Sequence, residues 1–198
     1  SPVKNNYKDA YNLGFNTNTN VSVQGGNETT TFYTSLSYKY MNGTLPNNSF
    51  DRLSFLAKAS HMITKNVELE ASINFANSTP RNAQPSIGEF FVDTNNGPLG
   101  NMYDTNHWRN YYKAAHGGLV SSSYGDEYGR VPGMGLWWSI FENNYTQKET
   151  TVRPTLTLRW DLTDWLKFTV EGNYNYYMRR AENKQPGSGY ANEGGYYR

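Results

Sequence analysis

The sequence has no cysteine, so no disulfide framework or thiolate metal cluster holds it together. It has no apolar run near the roughly 20 residues that a membrane-spanning helix needs. That excludes helical membrane proteins and leaves membrane barrels open, because their strands need only about 9–11 alternating residues. Charge of one sign is missing too. The net charge is +1 and Lys and Arg are dispersed among Asp and Glu, which gives no reason to invoke nucleic acid. Aliphatic residues are scarce, and no signal-peptide pattern is visible in the opening Ser1-Pro2-Val3-Lys4-Asn5-Asn6-Tyr7.

Tyr, Asn, Thr, Ser and Gly take their place. The 17 tyrosines are too many for an ordinary disordered chain, and the mixture suits strands with one wet and one apolar face. Six stretches alternate with period two. Val21 and Val23 oppose Ser22 and Gln24. Phe32, Thr34, Leu36, Tyr38 and Tyr40 oppose Tyr33, Ser35, Ser37 and Lys39. Leu53, Phe55, Ala57 and Ala59 oppose Arg52, Ser54, Lys58 and Ser60. Val67, Leu69, Ala71, Ile73 and Phe75 oppose Glu68, Glu70, Ser72 and Asn74. Val152, Leu156, Leu158 and Trp160 oppose Arg153, Thr155, Thr157 and Arg159. Leu166, Phe168, Val170, Tyr174 and Tyr176 oppose Lys167, Thr169, Glu171, Asn173 and Asn175. Side chains alternate across a strand, so each stretch is a half-apolar strand. Pro154 cannot donate to a ladder, and the fifth strand is expected to be irregular there or to pair fully only after it.

Tight-turn compositions join strands one to two (Gly25-Gly26-Asn27-Glu28-Thr29), three to four (Ile63-Thr64-Lys65-Asn66) and five to six (Asp161-Leu162-Thr163-Asp164). Longer loops follow strand two (42–50) and strand four (78–144), and residues 181–198 begin another. Short turns at one end and long loops at the other are the asymmetry of outer-membrane barrels, with periplasmic turns and extracellular loops. Tyr38, Tyr40, Tyr174 and Tyr176 near the long-loop end, with Trp160 and Trp165 at a short turn, match aromatic girdles. The expected fold is therefore all-β: an antiparallel transmembrane β-barrel segment of about six strands.

The run from Asn20 to Tyr38, with its Gly25-Gly26-Asn27-Glu28 turn and aromatic second strand, resembles the SusC/RagA-like TonB-dependent transporters of Bacteroidetes. The similarity continues from Met41 through Asn42-Gly43-Thr44-Leu45-Pro46 to Arg52, and resumes at Glu142-Asn143-Asn144-Tyr145 and Leu162-Thr163-Asp164-Trp165-Leu166-Lys167. The resemblance implies a barrel of about 22 strands with a plugged lumen. It also implies active uptake of oligosaccharides or peptides, powered by TonB–ExbB–ExbD and assisted by a SusD-like surface lipoprotein, in the bacterial outer membrane. On that reading residues 1–16 link an absent plug to the barrel, and residues 17–180 are its first strands. A passive porin and a soluble β-sandwich carbohydrate-binding module are the alternatives.

No catalytic motif is present, and neither an enzyme nor a cofactor is expected. His61, His107 and His116 lack the spacing of a zinc site. His61 keeps apolar parity and reads as an interfacial histidine. Gly133-Met134-Gly135 and Gly187-Ser188-Gly189 lack the rest of a phosphate loop. Lys39, Arg52, Lys58, Glu68, Glu70, Arg153, Arg159, Lys167 and Glu171 fall on the polar parity and are expected to face the lumen, mostly in cross-strand pairs. In the long loop, Trp108, Tyr111, Tyr112, Trp137 and Trp138 are candidate contacts to substrate or partner. They serve as well to pack the loop on the rim. A short helix is expected within 100–115.

Overall fold

The computed structural model describes residues 8–83, 105–113 and 134–185. The chain is all-β, an antiparallel sheet of seven strands: β1 (Phe15–Gly26), β2 (Thr30–Asn42), β3 (Ser49–Thr64), β4 (Val67–Arg81), β5 (Asn144–Asp161), β6 (Lys167–Asn173) and β7 (Tyr176–Lys184). The order is β1-β2-β3-β4-β5, and β6 and β7 both pair with β5. From β1 to β6 each strand lies beside its sequence neighbour, so the sheet is a meander.

β6 and β7 occupy one track. Thr155 opposes Asn173 and Val152 opposes Tyr176, which is the same register. Between them, Tyr174 N–H donates to the Pro154 carbonyl at 3.1 Å, and proline has no N–H to return. The half-made pair interrupts the sixth track, whereas β5 runs through Pro154 and faces Ile73 of β4 without loss of pairing. The irregularity expected of the fifth strand thus falls on its neighbour. The ring's missing donor points towards the sixth track and away from β4.

The register puts the alternating residues on common faces. Val21, Leu36, Phe55, Phe75, Val152 and Tyr176 form one row, and Gln24, Tyr33, Lys58, Ser72, Thr155 and Asn173 form a row of the other face. The short turns lie together at one end. In the first, Asn27 Oδ1 accepts from Thr29 N–H at 3.0 Å and Thr30 N–H at 2.8 Å, an Asx turn. Gly26 precedes it at φ 155°, where a Cβ would stand 2.3 Å from the Thr30 carbonyl oxygen, so only glycine fits. In the second, a bulge between Met62 and Thr64 shifts the register.

At the other end sit the 3-10 turn Lys8–Ala10 and two short helices, α1 (Thr105–Asn110) and α2 (Met134–Glu142). α1 falls inside the expected window. The fully buried apolar residues among those described, Ala10, Trp137, Trp138 and Ile140, all lie here. The apolar sheet face, by contrast, leaves Val21, Leu36, Leu53, Ile73, Leu156, Phe168 and Val170 exposed.

Asn12 N–H donates to the Thr44 carbonyl at 2.7 Å and Phe15 opposes Asn42, so the chain enters β1 from the long-loop end. Of the segment expected to be a link, residues 1–7 lie outside the described residues, Lys8–Ala10 form the 3-10 turn and Phe15 begins β1.

Candidate functional site

Two regions gather the chemistry-bearing residues: a packed loop cluster at the long-loop end, and a charged face on the sheet. The cluster is built on four chain segments. Trp137 is 0% exposed and packs with Ala10 and Ile140, flanked by Tyr11, Leu45, Tyr112 and Phe141. Tyr112 stacks on Phe141 with centroids 5.1 Å apart, and Trp137 on Phe141 at 6.2 Å. The Arg109 guanidinium lies over the Phe141 ring at 5.9 Å. It also donates to the Asp9 carbonyl at 3.0 Å and to the Asn12 side chain, tying α1 to the N-terminal segment. Burial lowers the Arg109 pKa, opposed by Asp9.

Glu142, at the end of α2, accepts from the Tyr112 hydroxyl at 2.7 Å and from Lys113 Nζ at 3.1 Å. Burial pushes its carboxyl up, and these two partners outweigh that, leaving it below its ordinary value. Burial also pushes the Tyr112 phenol up, reinforced by the neighbouring carboxylate.

Asparagines lock the loops beneath. Asn82 holds φ at 46°, a left-handed conformation that asparagine tolerates. Its Oδ1 accepts from Tyr145 N–H at 2.7 Å and its Nδ2 donates to the Asn47 carbonyl at 2.9 Å. Asn47 Nδ2 donates to the Ile140 carbonyl at 3.0 Å, and Asn48 Nδ2 to the Asn82 carbonyl at 2.7 Å. Among the described residues, no buried side-chain polar atom lacks a partner.

The five aromatic candidates separate. Trp137 and Trp138 are buried, so they hold the loop together and do not present rings to a ligand. Tyr112 is half-buried in the same packing. Tyr111 is 60% exposed and stacks on His107 with centroids 4.7 Å apart. Trp108 is in α1, and its side chain lies outside the described residues, as does His116. The sequence reading missed α2. Its signal was the run Leu136, Trp137, Trp138, Ile140 and Phe141, apolar on every side, which is the pattern of a buried helix. It also missed Asn47, Asn48 and Asn82, because nothing distinguishes them from other loop asparagines.

The nine charged candidates all lie on the polar face. Glu70 bridges Lys58 at 3.0 Å and Arg159 at 3.2 Å, and Arg159 also reaches Glu68 at 3.2 Å. Lys167 pairs with Asp161 at 3.1 Å, not with Glu171, which accepts from the Thr157 hydroxyl at 3.4 Å. Asp161 was read only as a turn residue. Near the long-loop end, Lys39 stands directly opposite Arg52, and Arg52 Nε donates to Ser54 Oγ at 3.2 Å. Arg153 opposes Asn74. On the apolar face, His61 Nδ1 lies 2.8 Å from Thr30 Oγ1. No group of acidic or histidine side chains among the described residues is arranged to hold a metal.

No model of a known protein family matches the chain, and no curated protein does.

Proposed function

We propose that this chain forms part of the wall and mouth of an outer-membrane β-barrel transporter of the SusC/RagA-like, TonB-dependent kind. In that setting it serves active uptake of oligosaccharides or peptides with a SusD-like lipoprotein and TonB–ExbB–ExbD. The observation that carries the membrane placement is the slope of the apolar band. On β2 the band runs from Phe32 to Tyr40 and centres on Leu36. The Leu36 row passes through Phe55 and Phe75 to Val152 of β5. On β5, however, the band runs from Val152 to Trp160 and centres on Leu156, displaced towards the short turns. Averaged over the three strand spacings of about 4.8 Å, these four rises of about 3.4 Å give a slope of about 43°, the displacement being complete at β4, where the band centre Ala71 opposes Leu156. Barrel strands tilt by roughly 35–45° to the membrane normal, and a level lipid layer crossing tilted strands produces this drift. On β4, Val67 to Phe75 spans about 27 Å along the strand, or about 20 Å vertically at that tilt.

The choice of family rests on the Gly25-Gly26-Asn27-Glu28 hairpin and the motifs after it. The polar face, with its ion-paired charges, then lines the lumen, the wet side of such a wall. The test uses the whole barrel in lipid vesicles with single cysteines at neighbouring positions, Leu36→Cys and Ser35→Cys. A fluorophore at position 36 is expected to be quenched from the lipid phase, and one at 35 from water only. Water access at both sites, or a folded protein that stays dispersed without detergent, would sink the membrane reading.

A further inference from the structure

Within that membrane placement, we propose that Arg81, Lys148 and Arg180 form a binding site for the phosphate of an anionic lipid headgroup. All three have the apolar parity: Arg81 follows Phe75 on β4, Lys148 precedes Val152 on β5, and Arg180 follows Tyr176 on β7. They therefore share the outward face. Lys148 stands directly opposite Arg180, and Arg81 opposes Thr146, two residues from Lys148. Like charges directly opposite destabilise a sheet, whereas a shared anion turns the repulsion into attraction.

The two acids of this face are not ion-paired with these cations. Asp51 opposes Thr79, diagonal to Arg81 and two strand spacings or about 10 Å from Lys148. Glu182 is engaged with Lys184 at 3.1 Å. The cations also sit at one end of the face only. Beyond the apolar band, Arg81 is six residues past Phe75, Lys148 four past Val152 and Arg180 two past Met178, or about 15, 10 and 5 Å at a tilt near 43°. This is the headgroup layer, where lysine and arginine reach phosphates and keep their stems on apolar surface. At the short-turn end the same face carries Trp160, Phe168 and Leu69 with no charged residue on its paired positions, so the site belongs to the long-loop side.

The whole barrel in neutral-detergent micelles is titrated with phosphatidylglycerol, phosphatidylcholine or inorganic phosphate, and retained ligand is counted by native mass spectrometry. Phosphatidylglycerol is expected to be retained over phosphatidylcholine. Lys148→Gln with Arg180→Gln should lower its affinity about 25-fold, at about fivefold per cation. Lys65→Gln, at the opposite end, should change nothing. If the double variant fails to fold, Arg180→Gln alone, with its fivefold loss, carries the test. Equal retention of both lipids, or of phosphatidylglycerol by wild type and variant, overturns the site. Competition by inorganic phosphate at equal concentration overturns the lipid as its ligand. These failures leave the membrane reading standing, because lipid quenching at position 36 judges that separately.

Discussion

Replacing Trp137 with alanine should loosen the loop cluster at the long-loop end and leave the sheet intact. The side chain is 0% exposed, and a buried tryptophan removes about 150–250 Å² from water. At about 25 cal/mol per Å² that is about 4–6 kcal/mol, and measured Trp→Ala losses in cores are about 3–5 kcal/mol. The lower range is the better guide, since the loops can collapse partway into the space. The strands do not depend on this packing. Their ladders run from β1 to β7 without passing through Ala10, Ile140 or Phe141. Hydrogen exchange with peptide resolution separates the two. Segments 8–13, 43–48 and 134–142 should exchange about 100- to 4,000-fold faster, at a factor of ten per 1.4 kcal/mol, while β2 to β4 keep wild-type protection. Equal acceleration in strands and loops would refute a separate cluster. Unchanged exchange in the loops would refute the packing itself.

Pro154→Ala supplies the N–H that the Tyr174 carbonyl lacks. The gain of about 0.5–1.5 kcal/mol is offset by about 0.4–1 kcal/mol from a freer unfolded chain, so melting should hardly move while exchange at residues 173–176 slows. Asn82→Ala removes three side-chain bonds and puts a Cβ-bearing residue without their support at φ 46°. It should cost about 3–5 kcal/mol locally, and Asn82→Gly about 1 kcal/mol less because the strain goes; limited proteolysis within 43–48 reads the difference. Glu142 has a lowered folded pKa, so its stabilisation is complete above its ordinary 4.5 and is lost as pH falls through the folded value below that. Tryptophan fluorescence from the loop cluster should therefore change on acidification below about pH 4.5, and Glu142→Gln should abolish that step. Tyr111→Ala should leave the melt within about 0.5 kcal/mol of wild type, because the ring is mostly exposed; under the proposed function, a loss in oligosaccharide, peptide or lipoprotein binding by this variant then reports contact and not folding.

Where each face met one environment, the sequence could be read directly. Leu36, Tyr38, Ile73, Leu156 and Phe168 fall on the predicted face because each strand there separates an apolar from a polar side. Strand ends were less legible for the converse reason. Phe15 to Asn20 reads Phe-Asn-Thr-Asn-Thr-Asn, polar on both parities, and Asn144 to Thr151 is similar. Both are strand, held by backbone ladders whose side chains project beyond the apolar band on either face. Alternation vanishes when both faces are wet, although pairing continues. The loop cluster was half legible. The tryptophans drew attention, but nothing local showed that Ala10 and Leu45, so far off in sequence, would bury them.

The two ends of the wall solve their electrostatics differently. At the short-turn end the charges of the polar face satisfy one another: Lys58, Glu70, Arg159 and Glu68 form one connected group, and Lys167 meets Asp161. At the long-loop end, like charges face each other on both sides of the sheet, Lys39 with Arg52 on one and Lys148 with Arg180 on the other. Two such pairs oppose folding, each by a few tenths of a kcal/mol to about 1 kcal/mol. A single glutamate in either pair would relieve it, and Asp161 shows that this chain places acids opposite lysines where it closes a turn. The two like-charge pairs at the long-loop end have no counter-charge directly opposite, although Glu149 faces Arg179 nearby, while the short-turn charges are neutralised from within. Under the proposed membrane placement, lipid phosphates would supply the missing charge at Lys148 and Arg180.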